Sequence, residues 1–148
     1  MEPFMKPVHQ LSRCFILYRD KQLCSEGITG YQQSYLIKIC DNPGIPQEQL
    51  SKILYVNKSS VTRQLAMLEK AGFITRSPHE EDKRQLLVFP TQKAIDLYPK
   101  LRQVIRQWNA ALLENIPQEQ QEVFSAFLHQ LLDRAVTLVQ EEGGCKKE

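Results

Sequence analysis

Two short helical patterns, separated by only three residues, constrain the fold of this chain most. One spans residues 47–54 and the other residues 58–71, and each places apolar side chains on a single face. Tyr55 and Val56 supply the turn between them, and Asn57 is a good N-cap for the second helix. Two helices joined by so short a connection predict a helix-turn-helix.

The hydrophobic pattern changes its period after Gly72, which closes the second of these helices. Residues 73–76 and 86–89 each have the pattern of a short strand, and the segment between them is polar and contains Pro78. The sequence therefore predicts a β-hairpin directly after the helix-turn-helix.

Two helical patterns precede this central part. A first helix is predicted over residues 7–25, and a second begins after Thr29 and ends near Cys40. Thr29 and Gln32 have the spacing of a capping box, in which Thr29 caps the backbone and Gln32 reaches back.

Two long helices with heptad-like apolar seams follow the hairpin. Thr91 is expected to cap the first of them, and Pro99 inside it predicts a kink or a broken first turn. Pro117 separates the two helices, and the second is expected to end at residues 143–144, leaving residues 145–148 as a frayed tail. The predicted fold is mainly α with a small β-hairpin.

The composition favours a single domain over residues 1–148. A hydrophobic share of 42% with 24% charged residues supplies a core, which excludes intrinsic disorder. No apolar run approaches the roughly 20 residues that span a bilayer. Because the N-terminal segment also lacks the apolar region of a signal peptide, we expect a cytoplasmic protein with no membrane partner.

The residues that bind metals or perform catalysis are scattered along the chain. Cys14, Cys24, Cys40 and Cys145 include no CxxC pair, and the three histidines are isolated. We therefore expect no metal, no cofactor and no disulfide framework. No nucleophile–base pair, paired carboxylates or phosphate-binding glycine loop stands out, which argues against an enzyme.

The charges are distributed unevenly along the chain, although the formal net charge is only +2. Residues 52–84 carry seven basic and four acidic side chains, whereas residues 112–148 carry seven acidic and three basic ones. This gradient places an anion-attracting surface on the helix-turn-helix and the hairpin. Counterion release from a phosphate backbone would favour binding there.

The N-terminal end of the second helix carries the side chains that a reader of the DNA major groove needs. When a recognition helix docks, this end meets the base edges. Serine and threonine hydroxyls bond bases or phosphates, and an arginine can bond guanine at two atoms. The candidate DNA-binding residues are Lys58, Ser59, Ser60, Thr62 and Arg63. The alternative is a solvated helix end with ordinary capping.

These segments together resemble the MarR family of winged helix-turn-helix regulators. The resemblance runs from about Thr29 to Thr91, and its motifs follow the family's order and spacing. The matching motifs are Leu50 to Leu54, Asn57 to Arg63, Leu68 to Ile74, and Glu81 to Arg84. The resemblance implies a winged helix-turn-helix lobe over residues 29–91, flanked by N- and C-terminal dimerisation helices in residues 1–28 and 92–148.

The resemblance also implies a function and the residues that perform it. Arg84 is expected to reach the DNA minor groove from the wing, and Asp82 to hold it. The implied protein is a homodimer that binds a palindromic operator in double-stranded DNA as a transcriptional regulator, a repressor released by a small-molecule or oxidative signal. Two alternatives remain: the apolar stripes of the end helices close one intramolecular bundle, or the chain is a winged-helix interaction module without specific DNA binding.

Two groups of residues are candidates for sensing such a signal. Tyr18, Tyr31, Tyr35 and Trp108 are expected to line a pocket for a small aromatic or anionic effector, and the alternative is that they are plain core. Cys14 begins a segment that resembles the surroundings of the peroxide-sensing cysteine in the hydroperoxide-responsive branch of the family. It is therefore a candidate redox sensor.

Overall fold

Six α-helices and three short strands make up the described part of the chain, residues 3–141, in this computed structural model. A 3-10 turn at Cys24–Glu26 follows the first helix. In chain order the elements are α1 (Met5–Leu23), α2 (Gly30–Asp41), β1 (Ile45–Pro46), α3 (Gln47–Leu54), α4 (Lys58–Lys70), β2 (Ile74–Pro78), β3 (Leu86–Pro90), α5 (Gln92–Leu113) and α6 (Gln118–Glu141). This order confirms the mainly α fold with a small β wing.

The chain divides into two compact units, Met1–Trp108 and Asn109–Glu148. The buried apolar core belongs to the first unit, and α2, α4, the sheet and the first part of α5 contribute to it. In the second unit, the Gln121 amide donates to the carbonyls of Leu113 and Ile116, which closes the turn before α6. No helix in the described residues is long and apolar enough to cross a membrane.

Helix α2 begins at the capping box that the sequence predicts. The Thr29 hydroxyl accepts from the Gln32 amide at 3.2 Å, and the Gln32 side chain accepts from the Thr29 amide at 3.0 Å. The inward face of this helix places Tyr35, Leu36 and Ile39 in the core. Local hydrogen bonding thus defines where α2 begins, and burial of its apolar face attaches it to the core.

Helices α3 and α4 form the predicted helix-turn-helix. Tyr55 adopts a left-handed backbone conformation (φ 54°), which turns the chain sharply between them. Asn57 caps α4 by accepting from the Ser60 amide at 2.7 Å. The core face of α4 is the predicted one, with Val61, Leu65 and Leu68 all buried.

The sheet has three antiparallel strands in the order β1-β3-β2, whereas the sequence predicts only the hairpin of β2 and β3. The strand that the sequence does not predict is β1, in which Ile45 lies opposite Val88 of β3. Strand β1 is two residues long and includes Pro46, so it carries no alternating pattern. It exists only because a distant strand pairs with it, and a local pattern cannot reveal such a strand.

Two predicted boundaries need correction, and one lies outside the described residues. Strand β2 covers Ile74–Pro78, a shift toward the wing tip, because pairing with β3 continues to Pro78 opposite Leu86. Of the kink or broken first turn predicted at Pro99, the broken turn is wrong, because α5 is continuous from Gln92 to Leu113 with Pro99 inside it. The kink stays a prediction. The predicted helix end at residues 143–144 and the tail at 145–148 lie outside the described residues.

Helices α1 and α2 meet at Gly30. The Gly30 amide donates to the Asp20 carboxylate at 2.6 Å, and a β-carbon at this position would lie 2.7 Å from both the Arg19 β-carbon and the Ile16 carbonyl oxygen. Real β-carbons essentially never approach so closely. The contact between the two helices therefore requires a glycine here.

Replacement of Gly30 by alanine tests this contact, because helix propensity and the steric clash predict opposite changes in the free energy of unfolding. Helix propensity alone predicts that alanine stabilises a helical position by about 0.5–1 kcal/mol. The steric clash predicts the opposite, a loss of about 1–3 kcal/mol in the free energy of unfolding, measured by urea titration. A Gly30→Ala protein as stable as the wild type would contradict the close approach.

Candidate nucleic-acid interface

The predicted DNA-reading residues lie at the N-terminal end of α4, and most are exposed. Lys58, Ser59, Thr62 and Arg63 are exposed, whereas Ser60 is half-buried. Ser59 is less available than the sequence suggests, because its hydroxyl donates to the Asn57 side chain at 2.8 Å. Ser60 offers its backbone amide to the same cap. The structure therefore gives the two serines capping contacts in addition to their predicted role.

Thr62 and Arg63 differ in how far their side chains are already engaged. The Thr62 hydroxyl donates to the Lys58 carbonyl at 3.0 Å and accepts from the Gln47 side-chain amide at 3.2 Å. Arg63 forms no ion pair with the described residues, so its guanidinium is available to an incoming acceptor. Thr62 is thus held in place, whereas the exposed Arg63 side chain is not engaged in an ion pair with the described residues.

The wing turn is built by main-chain contacts around Asp82. The Asp82 carboxylate accepts from the Arg84 backbone amide at 3.1 Å, and the Asp82 carbonyl accepts from the Gln85 amide at 2.9 Å. His79, which the sequence left as an isolated histidine, accepts from the Glu81 and Asp82 amides through Nδ1. Asp82 therefore shapes the turn that carries Arg84, and the Arg84 side chain stays exposed.

A groove of about 340 Å³ lies between the start of α4 and the turn of the wing. Both predicted DNA-contacting elements line it, because Lys58 and Thr62 come from α4 while Asp82 and Arg84 come from the wing. Gln47 and Glu48, from the first turn of α3, lie on the same groove. The structure thus brings the two predicted sites together and adds a third element to them.

A chain of polar contacts connects the wing to α4 through α3. Arg76 of β2 donates to the Glu69 carboxylate at 2.6 Å and to the Gln47 side chain at 3.3 Å, and Gln47 in turn donates to Thr62. The Arg76 side chain is only 19% exposed. The sequence counted Arg76 as part of a basic surface, and its burial against Glu69 removes it from that surface.

The aromatic candidates for an effector pocket form two separate pairs. Tyr18 lies against Trp108 with ring centroids 5.0 Å apart, and Tyr31 lies against Tyr35 at 5.7 Å. Burial raises the pKa of Tyr35 well above its ordinary value, with a smaller contribution from Tyr31. The Tyr35 ring therefore belongs to the core, whereas Trp108 is half-buried.

A buried arginine beside the first pair is the feature that the sequence did not single out. Arg19 is only 7% exposed, its guanidinium lies 4.2 Å from the centroid of the Phe15 ring, and it donates to the Ser34 hydroxyl at 2.9 Å. Its Nε atom has no hydrogen-bond partner among the described residues. Phe15 also stacks on Trp108. By contrast, Cys14 lies exposed on α1, and Cys145 lies outside the described residues.

A helix-turn-helix followed by a two-stranded wing defines the class of winged helix-turn-helix proteins. The model of the MarR family matches residues 28–86. The uncharacterized HTH-type transcriptional regulator YybA of Bacillus subtilis (strain 168) is 30% identical over 88% of this chain and 87% of its own length. The chain therefore belongs to the MarR family of transcriptional regulators, as the sequence motifs predict.

Two solved structures of the family share the whole fold. The MarR protein from Peptoclostridium difficile DA00132 has a TM-score of 0.92 at 24% identity and covers 95% of this chain and 93% of its own. A MarR family transcriptional regulator from Listeria monocytogenes, complexed with a 26mer DNA, has a TM-score of 0.88 at 24% identity and covers both chains completely.

Removing the Arg76 guanidinium tests the polar contacts that connect the wing to α4. Arg76→Met keeps much of the apolar stem but leaves Glu69 and Gln47 without their donor, so we expect a loss of about 1 kcal/mol at neutral pH in a urea titration. Arg13→Met removes an exposed guanidinium from α1 and serves as the matched control.

The pH dependence of that loss identifies Glu69 as the partner. The hydrogen bond from Arg76 lowers the pKa of Glu69 in the folded protein below the ordinary value of 4.5. The stabilisation is therefore present above that pH and is lost as the pH falls through the folded-state pKa. The difference between wild type and Arg76→Met should shrink in acid, and a constant difference would contradict this assignment.

Proposed function

We propose that this protein binds double-stranded operator DNA with the N-terminal end of α4 in the major groove and the wing in the adjacent minor groove. The observation that carries the proposal is the shared groove, on which Lys58 and Thr62 of α4 lie together with Arg84 of the wing. Arg63 adds an exposed guanidinium that forms no ion pair with the described residues. The Listeria monocytogenes relative in complex with a 26mer DNA supports duplex DNA as the ligand class.

The two arginines have different expected roles. Arg63 follows the capped first turn of α4, where a guanidinium bonds guanine O6 and N7 and so reads sequence. Arg84 lies at the wing turn, where a narrow minor groove concentrates negative potential and attracts an arginine. Asp82 positions Arg84 by bonding its backbone amide. Ser59, Ser60, Thr62 and Lys58 would contribute contacts to phosphates and bases around them.

We further propose that the operator is palindromic and that two chains bind it. One winged helix covers a single half-site, so a two-fold dimer gains both affinity and specificity. Support comes from α6, which carries a seam of exposed apolar residues that a second chain could cover. Its exposed apolar residues are Val123, Phe124, Phe127, Leu128, Leu131, Leu132, Leu138 and Val139.

We propose that the protein is a repressor, which blocks a promoter when it binds there. Its place of action in this proposal is the cytoplasm, where the DNA lies. The role requires no catalytic step, which agrees with a family of transcriptional regulators. The releasing signal we propose is a small aromatic anion bound near Tyr18 and Trp108. The support is Arg19, a buried cation that forms no ion pair with the described residues and lies over the Phe15 ring.

Arginine substitutions in a fluorescence anisotropy titration test the DNA-binding proposal on operators selected from genomic DNA. Arg63→Ala should weaken binding by about 5- to 150-fold and relax the preference for one base, whereas Arg84→Ala should weaken binding to all sequences. Affinity should fall steeply as salt rises, because phosphate contacts release counterions. Arg106→Ala, exposed on α5, is the control.

The same titration gives the stoichiometry, which we expect to be two chains for each palindromic duplex. Wild-type affinity in both Arg63→Ala and Arg84→Ala would refute the docking arrangement. If the folded wild type selects no duplex from genomic DNA, the result would favour a winged-helix interaction module over a DNA-binding regulator.

The fluorescence of Trp108 tests the effector proposal, because the chain contains a single tryptophan. Benzoate should change this emission and weaken operator binding, whereas benzyl alcohol, which has the ring without the charge, should do neither. Equal effects of benzoate and benzyl alcohol would contradict the proposal that Arg19 recognises the negative charge of the effector. If peroxide releases the operator instead, and Cys14→Ser abolishes that release, the signal is oxidative and Cys14 senses it.

A further inference from the structure

Glu48 occupies an unexpected place for an acidic residue, within the groove that faces DNA. It lies in the first turn of α3, and its carboxylate is 2.6 Å from the Lys58 ammonium. Both side chains are open to solvent, at 55% for Glu48 and 75% for Lys58. The hydrogen bond from Lys58, together with the charges of Lys58 and Lys52, holds the pKa of Glu48 below its ordinary value. Glu48 is therefore ionised at neutral pH.

The charges of the groove balance in the free protein. Its ionised lining residues are the cations Lys58 and Arg84 and the anions Glu48 and Asp82. Of the charged residues in segment 52–84, only Lys58, Asp82 and Arg84 line the groove. Glu48 lies just outside the segment in sequence and beside Lys58 in space, and it cancels the remaining positive charge. Arg76 is likewise neutralised by Glu69.

We propose that Glu48 restrains DNA affinity by competing with phosphate for Lys58. This inference rests on the proposed function and adds a residue that the DNA-binding motifs do not include. When a phosphate approaches, the Lys58 ammonium must leave the Glu48 carboxylate, which then remains beside the DNA as an unpaired anion. Binding therefore loses one favourable contact and gains a like-charge repulsion.

The competition has a signature in the salt dependence. Each phosphate that a free cation neutralises steepens the slope of log affinity against log salt by about 0.9. A lysine that exchanges one carboxylate for a phosphate leaves that carboxylate to take up a cation from solution, which offsets part of the release. The wild type should therefore show a shallower slope than its number of phosphate contacts predicts.

Water screens an ion pair between two exposed side chains, so such a pair adds little to the stability of a fold. The pair therefore contributes little to folding, and Glu48→Gln should leave the protein folded. Because the carboxylate lies directly on the binding surface, its effect should appear in affinity and salt dependence rather than in the free energy of unfolding. A change confined to stability would contradict the proposal.

The experiment compares Glu48→Gln with Glu114→Gln, which changes the net charge equally at an exposed site near the end of α5. Both proteins are titrated with the selected operator and with an unrelated duplex at several salt concentrations. Glu48→Gln should bind both duplexes about 3- to 10-fold more tightly at low salt, with a slope steeper by up to about one. Glu114→Gln should change affinity less than about twofold, because Glu114 is not among the residues that line the groove and solvent screens an exposed charge.

Substitution of the lysine separates competition from simple repulsion. In a Lys58→Gln background, the gain from Glu48→Gln should be smaller than in the wild-type background, because no ammonium remains to be released and only the repulsion between the Glu48 carboxylate and phosphate is relieved. An undiminished gain, or equal behaviour of the two glutamine variants in the wild-type background, would overturn the proposal while DNA binding itself stands. Absence of DNA binding by the wild type would overturn the proposed function together with this inference.

Discussion

The pairing of β3 with β1 and β2, one strand from each side of the helix-turn-helix, is the constraint on which the rest of the structure depends. Strand β1 directly precedes α3, strand β2 follows α4 closely, and both bond to β3. The helix-turn-helix is therefore closed at both ends by main-chain hydrogen bonds. The Gly44 amide extends the closure by donating to the Val88 carbonyl at 2.9 Å, and the Thr91 amide by donating to the Phe73 carbonyl at 2.9 Å. The recognition helix and the wing consequently face one groove.

Polar contacts then adjust the surface that this closure creates. The chain from Glu69 through Arg76 and Gln47 holds the Thr62 hydroxyl in place, and Glu48 neutralises the adjacent Lys58. Of the two cations that line the groove, only Arg84 stays exposed outside ion pairs with the described residues, and Arg63 is exposed in the same way on α4. A regulator must leave its operator as well as bind it, and a surface with few unpaired cations keeps affinity moderate.

The features that the sequence predicts correctly are those that depend on local contacts. The capping box at Thr29, the cap at Asn57 and the buried face of α4 each follow from residues within a few positions of one another. Strand β1 and the Arg76–Gln47 and Lys58–Glu48 contacts join residues that only the folded chain brings together. The net charge of residues 52–84, counted along the sequence, overestimates the positive charge of the groove for the same reason, because it leaves out a contact that only the folded chain makes. The roles of the candidate site residues remain predictions.

Amide hydrogen exchange with and without the selected operator tests the central claim most directly, because it reports on the protein side of the interface. The account predicts slower exchange in two segments, residues 57–63 at the start of α4 and residues 79–86 in the wing, when operator is bound. A duplex of unrelated sequence should protect them less. Protection confined to α1 or α6, or bound operator without any change in these two segments, would contradict the account.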